Sequence, residues 1–260
     1  MSAGSAYRDC FAGKVALVTG GASGMGRAIS SAFAAAGAHV VVADISVDGG
    51  EQTVQVVKEA GGDAVFVRTD VAQSADVQAA VDTAVSTFGG LDCAVNAAAI
   101  EGEGGPLADV DEDTFDRVIA VNLRSIFLSM KYEIRAMLER GGGAIVNIAS
   151  TNSFRPQPHQ ASYTASKYGV AGITKAAAID YAPLGVRINA VAPGAIDTPM
   201  LRGAIAARGR DAAEVAGRLS LTGKFGTVDE IAEGALWLCS DRSSFTIGHV
   251  LAVDGGYLSR

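Results

Sequence analysis

The feature that most constrains this chain is an alternation of short, largely apolar runs with longer stretches of helical periodicity. The apolar runs read as strands over 14–19, 39–43, 64–68, 92–96, 144–149, 187–191 and 250–253. Between them the pattern predicts helices over 25–36, 47–60, 74–88, 112–140, 161–181 and 228–240. Strands that are apolar throughout, rather than on alternate residues, belong to a sheet covered on both faces. Their alternation with helices predicts an α/β fold: a doubly wound, parallel, seven-stranded sheet of Rossmann type. One stretch, 193–222, is too long for an ordinary connection and is expected to form a mobile lid containing one or two short helices.

Composition narrows the function classes. The 260 residues suit a single domain over 13–260, with 1–12 expected as a flexible amino-terminal tail. A net charge of −7 with no basic run argues against nucleic acid and anionic membranes as partners. No run approaches the roughly 18 apolar residues of a membrane span, and residues 1–12 do not resemble a signal peptide. A cytoplasmic setting is expected. Cys10, Cys93 and Cys239 are too scattered for a disulfide framework or metal site, and His39, His159 and His249 are isolated, so no metal is expected. A serine hydrolase would need a GxSxG elbow, and Gly21-Ala22-Ser23-Gly24-Met25 fails at its last position.

Chemistry enters at Thr19-Gly20-Gly21-Ala22-Ser23-Gly24-Met25-Gly26, between the first strand and first helix. Glycines there let backbone approach a pyrophosphate, and the helix start offers N–H groups to its charge. Asp44 ends the second strand, 18 residues beyond Gly26. An acid there accepts hydrogen bonds from a ribose diol and repels a 2′-phosphate, which points to NAD. Ile45 after it and Ser23 in the loop add no positive charge. A second pattern is Tyr163-Thr164-Ala165-Ser166-Lys167. Residues four apart share a helix face. The Lys167 ammonium is therefore expected to lower the Tyr163 pKa toward neutrality, where a general acid/base works.

The TGxxxGxG spacing resembles that of the short-chain dehydrogenase/reductase family, and the resemblance runs through nearly the whole chain. Asp70-Val71 resembles the pair that contacts adenine. Asn96-Ala97-Ala98-Ala99 resembles the family's N-N-A-G, with Ala99 replacing the usual glycine and its methyl expected to narrow the cofactor channel. Pro193-Gly194-Ala195-Ile196-Asp197-Thr198 matches P-G-x-I-x-T, in which the Ile196 backbone and Thr198 hydroxyl would hold the carboxamide. Asp254-Gly255-Gly256 resembles the closing D-G-G.

The resemblance also implies roles around Tyr163. Ser150, thirteen residues upstream, would hold the substrate oxygen, and Lys167 would bond the nicotinamide ribose. Asn122 would order a water that relays protons by way of Lys167. A homotetramer built on helices 112–140 and 161–181 is implied too. The implied activity is hydride transfer between NAD and a secondary alcohol or ketone. Asn152, Phe154, Gln157, His159, Met200 and Leu201 are the pocket candidates, and their mixed polarity suits a cyclic diol or sugar-like alcohol. The rival reading, a non-catalytic NAD-binding sensor or scaffold, would usually have lost the tyrosine or lysine; both are present here.

Overall fold

A computed structural model describes Tyr7 and residues 9–259. It contains the predicted sheet: seven parallel strands in the order β3-β2-β1-β4-β5-β6-β7. They are β1 (Val15–Thr19), β2 (His39–Asp44), β3 (Asp63–Arg68), β4 (Cys93–Asn96), β5 (Gly143–Ile148), β6 (Val186–Pro193) and β7 (Val250–Val253). The chain leaves β1 toward β2 on one side and returns later to place β4 on the other. This reversal opens a crevice at the carboxyl ends of β1 and β4, where ligands of open α/β sheets bind.

Helices α1 (Gly24–Ala35), α2 (Val47–Glu59) and, late in the chain, α9 (Val228–Cys239) cover one face of the sheet. The other face carries α3 (Ser74–Phe88), α5 (Ser125–Glu139) and α6 (Ala161–Tyr181), with the short α4 (Glu112–Ile119) lying against α6. Each face buries its own apolar cluster, which explains why the strands lack polar alternation. Among the described residues no helix is long and apolar enough to cross a membrane.

Two expectations change and a third holds. Tyr7 and Phe11, assigned to the tail, are buried in the core, where Phe11 meets the edge of Phe33 at 5.0 Å between centroids; two aromatics supply enough apolar area to anchor this segment. Residues 1–6 and 8 lie outside the described residues. The single helix expected over 112–140 is divided: a π turn, Ala120–Arg124, separates α4 from α5. The stretch 193–222 contains two helices, α7 (Pro199–Ala207) and α8 (Ala212–Leu219), as its Ala-rich centre suggested.

Candidate active site

The crevice between β1 and β4 is built by close backbone approach. Gly20, at φ +70°, lies so near the end of β4 that a Cβ would stand 2.7 Å from the Ala98 nitrogen. A Cβ on Gly26 would stand 2.0 Å from the Gly20 carbonyl oxygen, so α1 can begin against the loop only with glycine there. Thr19 ties the two sides together, its hydroxyl accepting from Ala97 N at 3.2 Å and Ala98 N at 3.5 Å. Arg27 and Thr53 brace the loop from behind: the guanidinium bonds the Ala22 carbonyl, and the Thr53 hydroxyl donates to Gly21 O at 2.9 Å. The supports from Thr19 and Thr53 were not anticipated, because their partners are remote in sequence.

Gly20, Ser23, Gly24, Met25, Gly26, Asp44, Ile45, Asp70, Val71, Ala97, Ala98 and Thr198 all border one cleft of about 340 Å³. At the start of α1, Ser23 makes no side-chain cap bond, whereas Ser46, Asp111 and Thr227 cap their helices. The first N–H groups of α1 are thus left for a ligand's charge. Asp44 accepts from Ala22 N at 3.0 Å and from Ser46 N at 2.9 Å, fixing its carboxylate at the rim. Ser46, not Asp44, caps α2. Among the described residues no lysine or arginine borders this cleft. The dimensions of the loop, the uncapped helix and the acidic rim fit a dinucleotide.

Asn96 does not reach the cleft. Its buried amide donates to Glu133 Oε2 at 3.1 Å and Asn147 Oδ1 at 3.0 Å, joining β4 to α5 and β5. The last residue of an interior strand faces whichever side the pleat dictates, and here that is the core.

A second cavity of about 190 Å³ adjoins the first, sharing Met25, Ala97, Ala99, Thr198 and Met200. Ser150, Asn152, Tyr163, Lys167, Ile196 and Met200 border it, as do Gln157 and Leu201. Phe154 and His159 do not; both are exposed, and His159 adopts φ +61° in the turn before α6, which swings it to solvent. Ala99 borders both cavities, so its methyl does stand at their junction.

Ser150 follows β5 and Tyr163 stands in the first turn of α6, and both border this cavity. Burial pushes the Tyr163 phenol up to about 12, with the Ser150 bond opposing and the Glu101 charge adding to the rise. Lys167 is fully buried, its Nζ donating to Ile148 O at 2.8 Å and standing 5.6 Å from the Tyr163 ring centroid. Burial lowers its pKa to about 8. The expected fall in the Tyr163 pKa is therefore not present in this state, because desolvation by burial is the largest influence on the phenol.

Asn122 lies in the π turn, wholly buried. Its Oδ1 accepts from Ile100 N at 2.8 Å, and its Nδ2 donates to Ile100 O at 2.9 Å and Ser166 Oγ at 3.4 Å. It thus clamps the loop after β4 against α6. Glu103 in the same loop accepts from Ser162 N at 2.9 Å and from the Ser162 hydroxyl. Burial opposes its ionisation, yet these Ser162 bonds hold its carboxyl below the ordinary range. An acid on the first turn of α6 fixes the residue next to Tyr163.

Comparison with known proteins follows the same lines. Residues 20–258 match a family model described as Enoyl-(Acyl carrier protein) reductase. A short chain dehydrogenase/reductase of Aspergillus oryzae is 39% identical over 97% of this chain and 98% of its own length. The chain belongs to the short-chain dehydrogenase/reductase family. Another relative, a 2,5-dichloro-2,5-cyclohexadiene-1,4-diol dehydrogenase of Sphingobium indicum, is 44% identical over 94% of this chain and 97% of its own. The crystal structure of levodione reductase superposes with a TM-score of 0.92 at 35% identity, covering 96% of this chain and 99% of that one. Membership makes the chain an oxidoreductase of the alcohol dehydrogenase and ketoreductase kind.

Proposed function

We propose that this short-chain dehydrogenase/reductase moves hydride between NAD and the carbinol carbon of a cyclic or sugar-like secondary alcohol. Tyr163 is its general acid/base. The observation that carries the reading is that Ser150, Tyr163 and Lys167 border one cavity, which shares five lining residues with the glycine-loop cleft. A sensor would have no use for these side chains bordering a second ligand space. When bound, NAD supplies the hydride acceptor; the protein orients the reactants and manages the proton.

Ser150 and Tyr163 together would grip the substrate oxygen, and Tyr163 would exchange its proton with it. Lys167, near the ring and braced by Ile148 O, would carry the positive charge that stabilises phenolate as it forms. The backbone from Gly20 to Gly26 and Asp70-Val71 would hold the dinucleotide, with Ile196 and Thr198 at its nicotinamide end. Asp44, on a cleft rim without basic side chains among the described residues, favours NAD over its 2′-phosphorylated form. The cyclic-diol class of substrate draws on the relative from Sphingobium indicum. A cytoplasmic homotetramer joined through α5 and α6 completes the reading; Phe127, Tyr168 and Ile179 leave exposed apolar area on those helices.

The test is a panel of cyclic alcohols and diols with NAD or NADP, read as reduced-cofactor absorbance, for wild type and Tyr163→Phe. Turnover with NAD is expected, falling by about 10²–10⁴-fold in the variant, the usual worth of general acid–base catalysis. Wild-type turnover in Tyr163→Phe, or equal use of NADP, would sink the corresponding assignment.

A further inference from the structure

The cavity above Tyr163 is unbalanced in charge. Arg208 at the end of α7, Arg210 in the following connection and Arg218 on α8 border it, against one carboxylate, Glu101. The whole chain has the opposite balance, 21 Lys and Arg against 28 Asp and Glu. Glu101 answers only part of this excess: burial raises its pKa, and the Arg208 charge partly offsets that rise. Arg210 makes no ion pair or side-chain hydrogen bond among the described residues. A structural account exists for Arg208 and Arg218, since cations suit helix carboxyl ends; it does not extend to Arg210. α7 and α8 also line the cavity with apolar side chains: Leu201, Ile205, Val215 and Leu219.

We infer that the substrate is an amphipathic anion, an alcohol or ketone on an apolar ring that also bears a carboxylate, which Arg208 and Arg210 receive. The class follows from what borders this one cavity: hydroxyl partners, hydrocarbon and guanidiniums. Planar guanidiniums match a carboxylate's two oxygens. A local positive rim would also draw an anion toward a protein whose net charge repels it. The inference rests on the oxidoreductase reading for its hydroxyl end and on the arginines alone for its charged end.

The two ends can be tested apart. Cyclohexanecarboxylate and cyclohexanecarboxamide have the same ring and differ in charge, and their binding to the NAD-loaded protein can be measured by calorimetry. The carboxylate is expected to bind about tenfold more tightly or better, the range of a charge-assisted hydrogen bond in a partly hydrated site. The advantage should vanish in the Arg208→Gln/Arg210→Gln double variant and grow in Glu101→Gln; opposite responses to opposite charge changes separate recognition from misfolding. Equal binding of the two ligands, or an advantage that survives the double substitution, overturns the inference. Turnover is the second arm, comparing cis-4-hydroxycyclohexanecarboxylate with cyclohexanol, the acid being expected to show the higher kcat/KM. If cyclohexanol is oxidised and the acid is no better, the inference fails while the oxidoreductase reading stands. If neither alcohol turns over yet the carboxylate advantage in binding persists, the reverse holds.

Discussion

At the scale of single residues the decisive fact is that Tyr163 and Lys167 are both buried and both shifted against their charged forms. With the phenol at about 12, Tyr163 holds its proton throughout the physiological range. A protonated tyrosine is ready to donate, so ketone reduction should be nearly independent of pH between about 6 and 8. Alcohol oxidation needs the deprotonated form, whose population rises with pH, so its rate should climb over the same interval. Initial rates in both directions on one substrate pair would check this, and an oxidation rate flat with pH would contradict it. Lys167 at about 8 adds a sign to stability: the unfolded lysine titrates near 10.5, so between those values the unfolded chain binds more protons. On Lys167's account, stability therefore rises with pH across that window.

Among the elements, the π turn at Ala120–Arg124 is the one the sequence hid. The periodicity of 112–140 is helical throughout, and a single extra residue in one turn leaves that pattern almost unchanged. What it changes is direction, sending Asn122 inward onto Ile100, and such turns often mark functional sites. Asn122 was legible only as a family position, and its grip on the loop after β4 was not legible at all, since both partners are backbone atoms remote in sequence. The same limit applies to Asn96, whose place in the motif suggested the cofactor but whose pleat position gives it to the core. By contrast the strands and the glycine loop were readable, because local periodicity and fixed spacing encode them. Asn122→Ala should release the Ile100 amide without dissolving the sheet. Hydrogen exchange should show faster exchange at Ile100 and its neighbours, with global stability lowered by about 1–3 kcal/mol for the lost buried hydrogen bonds. Unchanged protection at Ile100 would show that the clamp does not hold the loop.

For the molecule as a whole, the sheet and its α5–α6 face are tied by a buried polar chain that no fold requirement demands. Glu133 on α5 meets Asn96 on β4; Asn96 meets Asn147 on β5; Asn147 Nδ2 donates to Thr174 Oγ1 on α6 at 3.0 Å. The chain is incompletely satisfied, since Glu133 Oε1 and Asn96 Oδ1 have no hydrogen-bond partner among the described residues. Such a site is costly for a charge, and burial raises the Glu133 pKa to about 8, with the Asn96 bond only partly opposing. The folded protein therefore binds this proton more tightly than the unfolded chain, whose glutamates titrate near 4.5. Between those two values stability must fall as pH rises, with the contribution intact below about 4.5 and lost by the time pH passes 8. Partly buried Glu101, also raised, has the same sign, whereas the lowered Asp111, Asp197 and Glu103 act at more acid pH. Glu133→Gln keeps the side chain's shape and its bond to Asn96 while remaining neutral at every pH. It should thus leave stability near pH 5 almost unchanged and raise it at pH 8 by on the order of a few kcal/mol. At about 2–4 °C per kcal/mol for a domain of this size, the difference is easily read in thermal melts. Parallel pH profiles for wild type and Glu133→Gln would show that the buried carboxyl does not govern the pH response of the fold.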